Sequence, residues 1–238
     1  MPLFTPAFLR LMAAQGLQSV GYASLILLPR YLDALGASRA AIGALMASTA
    51  IGGLLTRPFV GSALDRLGRR PTITVGTLFL ATGLFLIGSI DAVGPHALLA
   101  AATVGVGTGT LFTAYFTMAS DIVPAERRTE GLALFGIAGL LPLLVNPLAQ
   151  SLGVQGEDIR WFLPAMGVVV LASLLPLRGV PETHTRHVPR ARVQLGRDLS
   201  ARPLWSVWLA NALFSGLVAS FMVFALVIAD RRGLADAA

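Results

Sequence analysis

The chain has 238 residues, of which 55% are hydrophobic and 13% charged, with a mean hydropathy of +0.74 and a formal net charge of +6. That balance excludes a water-soluble globular domain, which needs a charged surface. There is no cysteine, which removes disulfides, iron–sulfur ligation and thiol nucleophiles, and all eighteen basic residues are arginine, which removes the Schiff-base lysine of a retinal pigment.

About 20 apolar residues, at 1.5 Å each, cross a hydrocarbon core of roughly 30 Å. Seven segments qualify, at residues 7–29, 40–61, 71–90, 97–119, 131–153, 161–177 and 204–229. The first follows Met1-Pro2-Leu3-Phe4-Thr5-Pro6, which lacks a basic start, and it is too long for the apolar region of a secretory signal. It carries Gln15, Gln18 and Tyr22 at three- and four-residue spacing, on one helix face. Such residues either glue helices together or touch a solute, and both readings stay open.

The second segment carries Arg57, followed by Pro58 and about four residues from the segment's end, or roughly 6 Å along the axis. At that depth an arginine snorkels to the headgroups. The alternative is a guanidinium that faces a cavity and holds an anionic substrate. Between the second and third segments lies a compact charged turn, Gly61-Ser-Ala-Leu-Asp65-Arg66-Leu-Gly68-Arg69-Arg70-Pro71. The fourth segment contains Gly105-Val-Gly107-Thr-Gly109 and Tyr115, and a second charged patch follows it from Asp121 to Gly131. Pro142 and Asn146-Pro147 in the fifth segment predict a bend, because each proline removes a helical hydrogen bond. The connection from the sixth to the seventh segment is the longest, basic and proline-bearing.

His96, His184 and His187 all fall between segments, and no H-E-x-x-H or intramembrane aspartate pair occurs. No catalytic residue, cofactor or metal site is expected, and the chain reads as no enzyme. An N-terminus on the cytoplasmic side puts twelve arginines in cytoplasmic segments and five opposite, with Arg57 inside a span. The positive charge thus reports membrane orientation. It does not indicate nucleic acid, since the arginines are dispersed and lack interleaved stacking aromatics.

The turn from Gly61 to Arg70 resembles motif A, the loop between helices 2 and 3 of major facilitator superfamily transporters. In that light Gly61 lets helix 2 approach a neighbour closely, and Gly68 takes the positive φ of a tight turn. Pro71 suits the first turn of helix 3. Asp65 is available to helix-end N–H groups or to arginine, and Arg66, Arg69 and Arg70 to carboxylates or lipid phosphates. The resemblance implies a conformational latch on the cytoplasmic side, with Asp121 expected to pair with Arg69 or Arg70; plain solvation of these groups is the alternative. The glycines from Gly105 to Gly109 are similar to part of motif B, but Ala101 stands where that motif has its arginine, so proton coupling through it is unsupported. In the family helices 1, 2, 4 and 5 line the cavity, which makes Gln15, Gln18, Tyr22, Arg57, Tyr115 and Asn146 the candidate substrate residues.

The resemblance implies an all-α membrane protein with a six-helix N-terminal half at residues 1–178. A basic cytoplasmic linker at 179–203 and a seventh helix with the start of the next loop at 204–238 complete the chain. The expected function is secondary active, efflux-type transport of a small solute by alternating access in the cell inner (plasma) membrane. The chain matches only half of a usual member, so a truncated product is expected. Expected partners are the lipid bilayer, a small-molecule solute, a candidate coupling proton, and a second half or partner chain. The alternative is a non-transporting membrane remnant, or a subunit that needs a partner.

Overall fold

A computed structural model of the chain describes residues 2–154, 156–184, 205–207, 209–214 and 216–217. Among them are six helices long and apolar enough to cross a membrane: α1 (Pro6–Ala34), α2 (Arg39–Arg66), α3 (Arg69–Gly88), α4 (Pro95–Ile122), α5 (Ala125–Ser151) and α6 (Ile159–Arg178). The chain divides into two units, Met1–Arg186 and His187–Ala238, and α1 to α6 belong to the first. In the second, a shorter apolar helix covers Trp205–Phe214. Most of the expected linker, and residues 218–229 of the seventh segment, lie outside the described residues.

Local chemistry sets the helix ends. Thr5 and Ser38 cap α1 and α2, their hydroxyls accepting the N–H of Phe8 and Ala41 at 3.2 Å. Gly68 closes the turn before α3 with φ of +100°, a conformation open to glycine and strained for other residues. Pro71 then falls in the first turn of α3.

Two helices change pitch midway. In α5 a 3-10 stretch, Leu141–Leu144, falls between Arg128–Leu140 and Val145–Ser151, where Pro142 and Pro147 withhold N–H donors. A similar break in α1, Leu25–Leu27, precedes Pro29; sequence reading took that span as continuous.

Glycines bring α4 against α2 on one side and α3 on the other. A Cβ placed on Gly52 or Gly105 would lie less than 3.0 Å from the carbonyl oxygen of Ala102 or Thr49, across the α2–α4 seam. On the other face, a Cβ on Gly107 would strike the backbone of Leu80 in α3. Small residues that admit backbone contact supply dispersion where lipid gives no hydrophobic drive. Gly61 does not take part. Among the described residues nothing lies within 4 Å of its would-be Cβ, so the close approach expected there is corrected to the seam further up the helix.

At the end where α1 stops and α2 starts, Tyr31 donates its hydroxyl to the Ile90 carbonyl at 2.7 Å, and Arg160 pairs with Asp91 at 3.1 Å. The opposite end carries the charged turn. Burial is uneven: half or more of the apolar window is buried in α1, α3 and α4, but only 11% in α2 and 17% in α5.

Candidate functional site: a four-helix cavity and a charged clasp

A cavity of about 1110 Å³ opens among α1, α2, α4 and α5. Gln15, Gln18 and Tyr22 reach it from α1, and Thr49, Gly53 and Arg57, spaced four apart, form a stripe on α2. From α4 come Thr108, Phe112, Thr113, Tyr115, Phe116 and Thr117. Phe112 and Phe116 stack as a tilted pair with centroids 5.0 Å apart.

The polar groups differ in what they can offer. Thr49, Thr108, Thr113 and Thr117 donate their hydroxyls back to carbonyls of their own helices, at 3.3, 3.1, 3.3 and 2.8 Å. They therefore present lone pairs and no free proton. Gln15 is 6% exposed, and its Oε1 has no hydrogen-bond partner among the described residues. Its amide rests on Gly139 of α5, where a Cβ would stand 2.7 Å from Nε2. The Tyr115 hydroxyl lies beside Ser173, but neither oxygen has a partner of hydrogen-bonding geometry among the described residues.

Arg57 stands farther from the end of its helix than the apolar segment alone suggests. α2 continues to Arg66, nine residues beyond it, or about 13 Å at 1.5 Å per residue. Arg57 lines the cavity, and no carboxylate pairs with it among the described residues.

Five of the six candidate cavity residues, Gln15, Gln18, Tyr22, Arg57 and Tyr115, share this space. Asn146 does not. It is buried in α5, and its Nδ2 donates to the carbonyl of Ala23 at 2.9 Å, next to the pitch change of α1. That amide satisfies backbone where a helix loses its regular ladder, which is a structural duty. Sequence reading missed Phe112, Phe116 and Thr108, although their four-residue spacing on α4 was visible.

The charged turn is clasped from two directions. Arg69 Nε donates to Asp121 Oδ2 at 2.9 Å, and its Nη1 donates to the Leu64 carbonyl at 3.0 Å. The pair joins the start of α3 to the end of α4. Arg69 is 17% exposed and Asp121 31%, so the pair is partly shielded from water. Thr183 donates its hydroxyl to the same Asp121 oxygen at 2.9 Å.

The second grip comes from beyond α6. The carboxylate of Glu182 accepts the backbone N–H groups of Arg69 and Arg70, each at 2.9 Å. These are unsatisfied donors of the first turn of α3, at the positive end of its dipole. Burial works against the charged carboxylate, but backbone N–H groups of Arg69, Arg70, His184 and Thr183 outweigh it and hold the Glu182 carboxyl below its ordinary value. His184 Nδ1 lies 3.2 Å from Arg69 Nη1.

Asp65 was the sequence candidate for helix-end N–H groups. It is exposed and has no such bond among the described residues, and Glu182 takes that place. Arg66 and Arg70 side chains form no ion pair among the described residues. The signal for Glu182, a carboxylate just past the sixth span, was present but unremarkable by itself.

A family profile described as Major Facilitator Superfamily matches residues 11–237. Among curated proteins, the chain is 29% identical over 170 residues to the multidrug resistance protein MdtL of Shewanella oneidensis, covering 68% of this chain and 41% of that one. It is 26% identical over 219 residues to MdtL of Salmonella schwarzengrund, covering 88% and 55%. The chain thus spans about half the length of these relatives. Among solved structures, the human organic anion transporter MFSD10 matches with a TM-score of 0.62 at 19% identity, over 78% of this chain and 50% of that one. The partially occluded inward-open xylose transporter XylE from E. coli matches with a TM-score of 0.59 at 16% identity, over 74% and 50%.

Proposed function

This chain belongs to the major facilitator superfamily, and we propose that it supplies one cavity-bearing half of an efflux-type transporter that moves a small solute by alternating access. It is a multi-pass, all-helical membrane protein of that fold. The observation that carries the reading is the cavity of about 1110 Å³, with a polar and aromatic wall built by the spanning helices α1, α2, α4 and α5. Efflux is favoured by the MdtL relatives, which are named for multidrug resistance.

In this reading residues 1–178 form the half, 179–203 the linker, and 204–238 the seventh helix and the start of the next loop. The arginine distribution favours a cytoplasmic N-terminus in the cell inner membrane. The clasp of Arg69, Asp121 and Glu182 then lies on the cytoplasmic side, where it acts as a latch. A second wall, from the same polypeptide or from a partner, closes the cavity and rocks against this one. A proton remains the candidate coupling ion, carried elsewhere than at Ala101.

The test needs no known solute, because the chain has no cysteine. Single cysteines at Asp65, Ser89 and Thr113 are challenged with an impermeant maleimide in inverted and right-side-out vesicles. The expected result is labelling of Asp65→Cys only in inverted vesicles and of Ser89→Cys only in right-side-out ones. Thr113→Cys is expected to react in both. Labelling of Thr113→Cys from one face alone overturns alternating access.

A further inference from the structure

Arg57 is the only cationic residue on the cavity wall among the described residues. The only carboxylate there, Asp121, stands at the end of α4 and is already given to Arg69 and Thr183. An arginine at membrane depth normally pairs with a carboxylate or with carbonyls. Arg57 has neither among the described residues, and its helix continues about 13 Å past it. The neighbouring threonines cannot substitute as donors to a ligand, because their protons are spent on their own helices. The wall thus offers one strong positive fork and many acceptors. Seven residues along α1 from Gln15, whose Oε1 has no partner among the described residues, Tyr22 also faces the space, and Phe112 and Phe116 line the α4 side.

We infer that the solute held in this cavity is an organic anion with an aromatic body, its carboxylate or sulfonate on Arg57 and its ring against Phe112 and Phe116. The inference rests on the cavity being the solute site proposed above. A guanidinium fork matches a carboxylate in two parallel hydrogen bonds, and the phenylalanine pair adds an apolar surface of the size of a fused ring. A cationic solute would meet Arg57 with no carboxylate free to offset the repulsion. The same fork would also accept the phosphate of a lipid headgroup, so the source of the anion has to be tested.

The experiment measures equilibrium binding of three radiolabelled probes of like shape, 1-naphthoate, 1-naphthamide and 1-naphthylmethylammonium. It uses the purified full chain, in phosphate-free dodecyl maltoside and in phosphatidylglycerol nanodiscs. Naphthoate is expected to bind about tenfold more tightly than the amide, and the ammonium more weakly still. Arg57→Gln is expected to remove the naphthoate advantage and leave the amide unchanged, with part of it kept by Arg57→Lys. Phe112→Ala, at an exposed position, is expected to weaken all three probes alike.

Equal naphthoate binding by the parent and Arg57→Gln overturns the inference while leaving the cavity reading intact, provided Phe112→Ala still weakens the probes. Probe binding that ignores both substitutions, or no binding of any probe to folded protein, overturns both. Naphthoate binding seen in detergent but lost in phosphatidylglycerol nanodiscs assigns the fork to lipid and overturns the solute anion.

Discussion

Glu182 accepts the backbone N–H of Arg69 at 2.9 Å, while the side chain of that arginine is given to Asp121 at the same distance. One residue at the head of α3 is therefore held by its main chain from beyond α6 and by its side chain from α4. The two grips differ chemically, and they can be separated.

Removing the first grip leaves two helix-end donors without their carboxylate. Glu182→Ala is expected to destabilise the bundle by about 1 kcal/mol, the usual scale of a lost helix cap. Glu182→Gln, which keeps an acceptor but loses the charge, is expected to fall between. Thermal melting of the purified protein in detergent checks this, and an unchanged midpoint for Glu182→Ala would count against the cap.

The second grip is an ion pair. Asp121→Ala is expected to lower stability by no more than about 1 kcal/mol, because the pair is only partly shielded. Asp121→Arg and Arg69→Asp are each expected to do worse, by leaving like charges together. The double exchange is expected to recover part of that loss. If the double variant melts no higher than the worse single one, the pair contributes nothing separable from its surroundings.

Acidification should undo the cap selectively. The Glu182 carboxyl is held below its ordinary value of 4.5 by backbone N–H groups, against the opposing effect of burial. A depressed carboxylate contributes stability that is fully present above 4.5 and is lost as pH falls through the folded-state value. The melting difference between the parent and Glu182→Gln is thus expected to be constant near neutrality and to shrink below pH 4.5. A difference that instead grows on acidification contradicts the sign.

The glycine seam makes a steric prediction. Gly105→Ala and Gly52→Ala push a methyl group into opposing backbone, and such overpacking costs about 1–3 kcal/mol. Both are expected to lower the yield of monodisperse protein in detergent chromatography. Gly61→Ala, with open space around it, is expected to be neutral or slightly stabilising. A loss at Gly61 equal to that at Gly105 would point to a role other than packing between these helices.

Hydropathy alone marked all six helices of the first unit, because lipid demands long apolar runs and little else does. It misjudged the ends, since α2 runs on as regular helix through the polar residues to Arg66. Arg57 therefore stands farther from the end of its helix than the segment bounds suggest, and it lines the cavity. Polarity inside a span pointed correctly to the face shared by Gln15, Gln18 and Tyr22, but it could not separate Asn146, whose partner is a carbonyl 123 positions away. The motif around Asp65 concealed the reverse error. Glu182 serves the helix end from a distant segment, and no local pattern announces a contact across 113 residues.

Close backbone contact along α2, α4 and α3 has a consequence for how such a half can move. Helices that meet through long side chains can slide by switching rotamers, but Gly52, Gly105 and Gly107 leave no side chain to rearrange. Sliding would have to compress carbonyl and amide groups against one another, and close-packed interfaces do not deform continuously. The three-helix slab therefore behaves as a stiff plate that carries Arg57, Phe112 and Phe116 in fixed register. In the alternating-access cycle proposed above, the motion that exposes the cavity to one side and then the other would occur at the edges of that plate, and the solute would meet the same chemical face throughout.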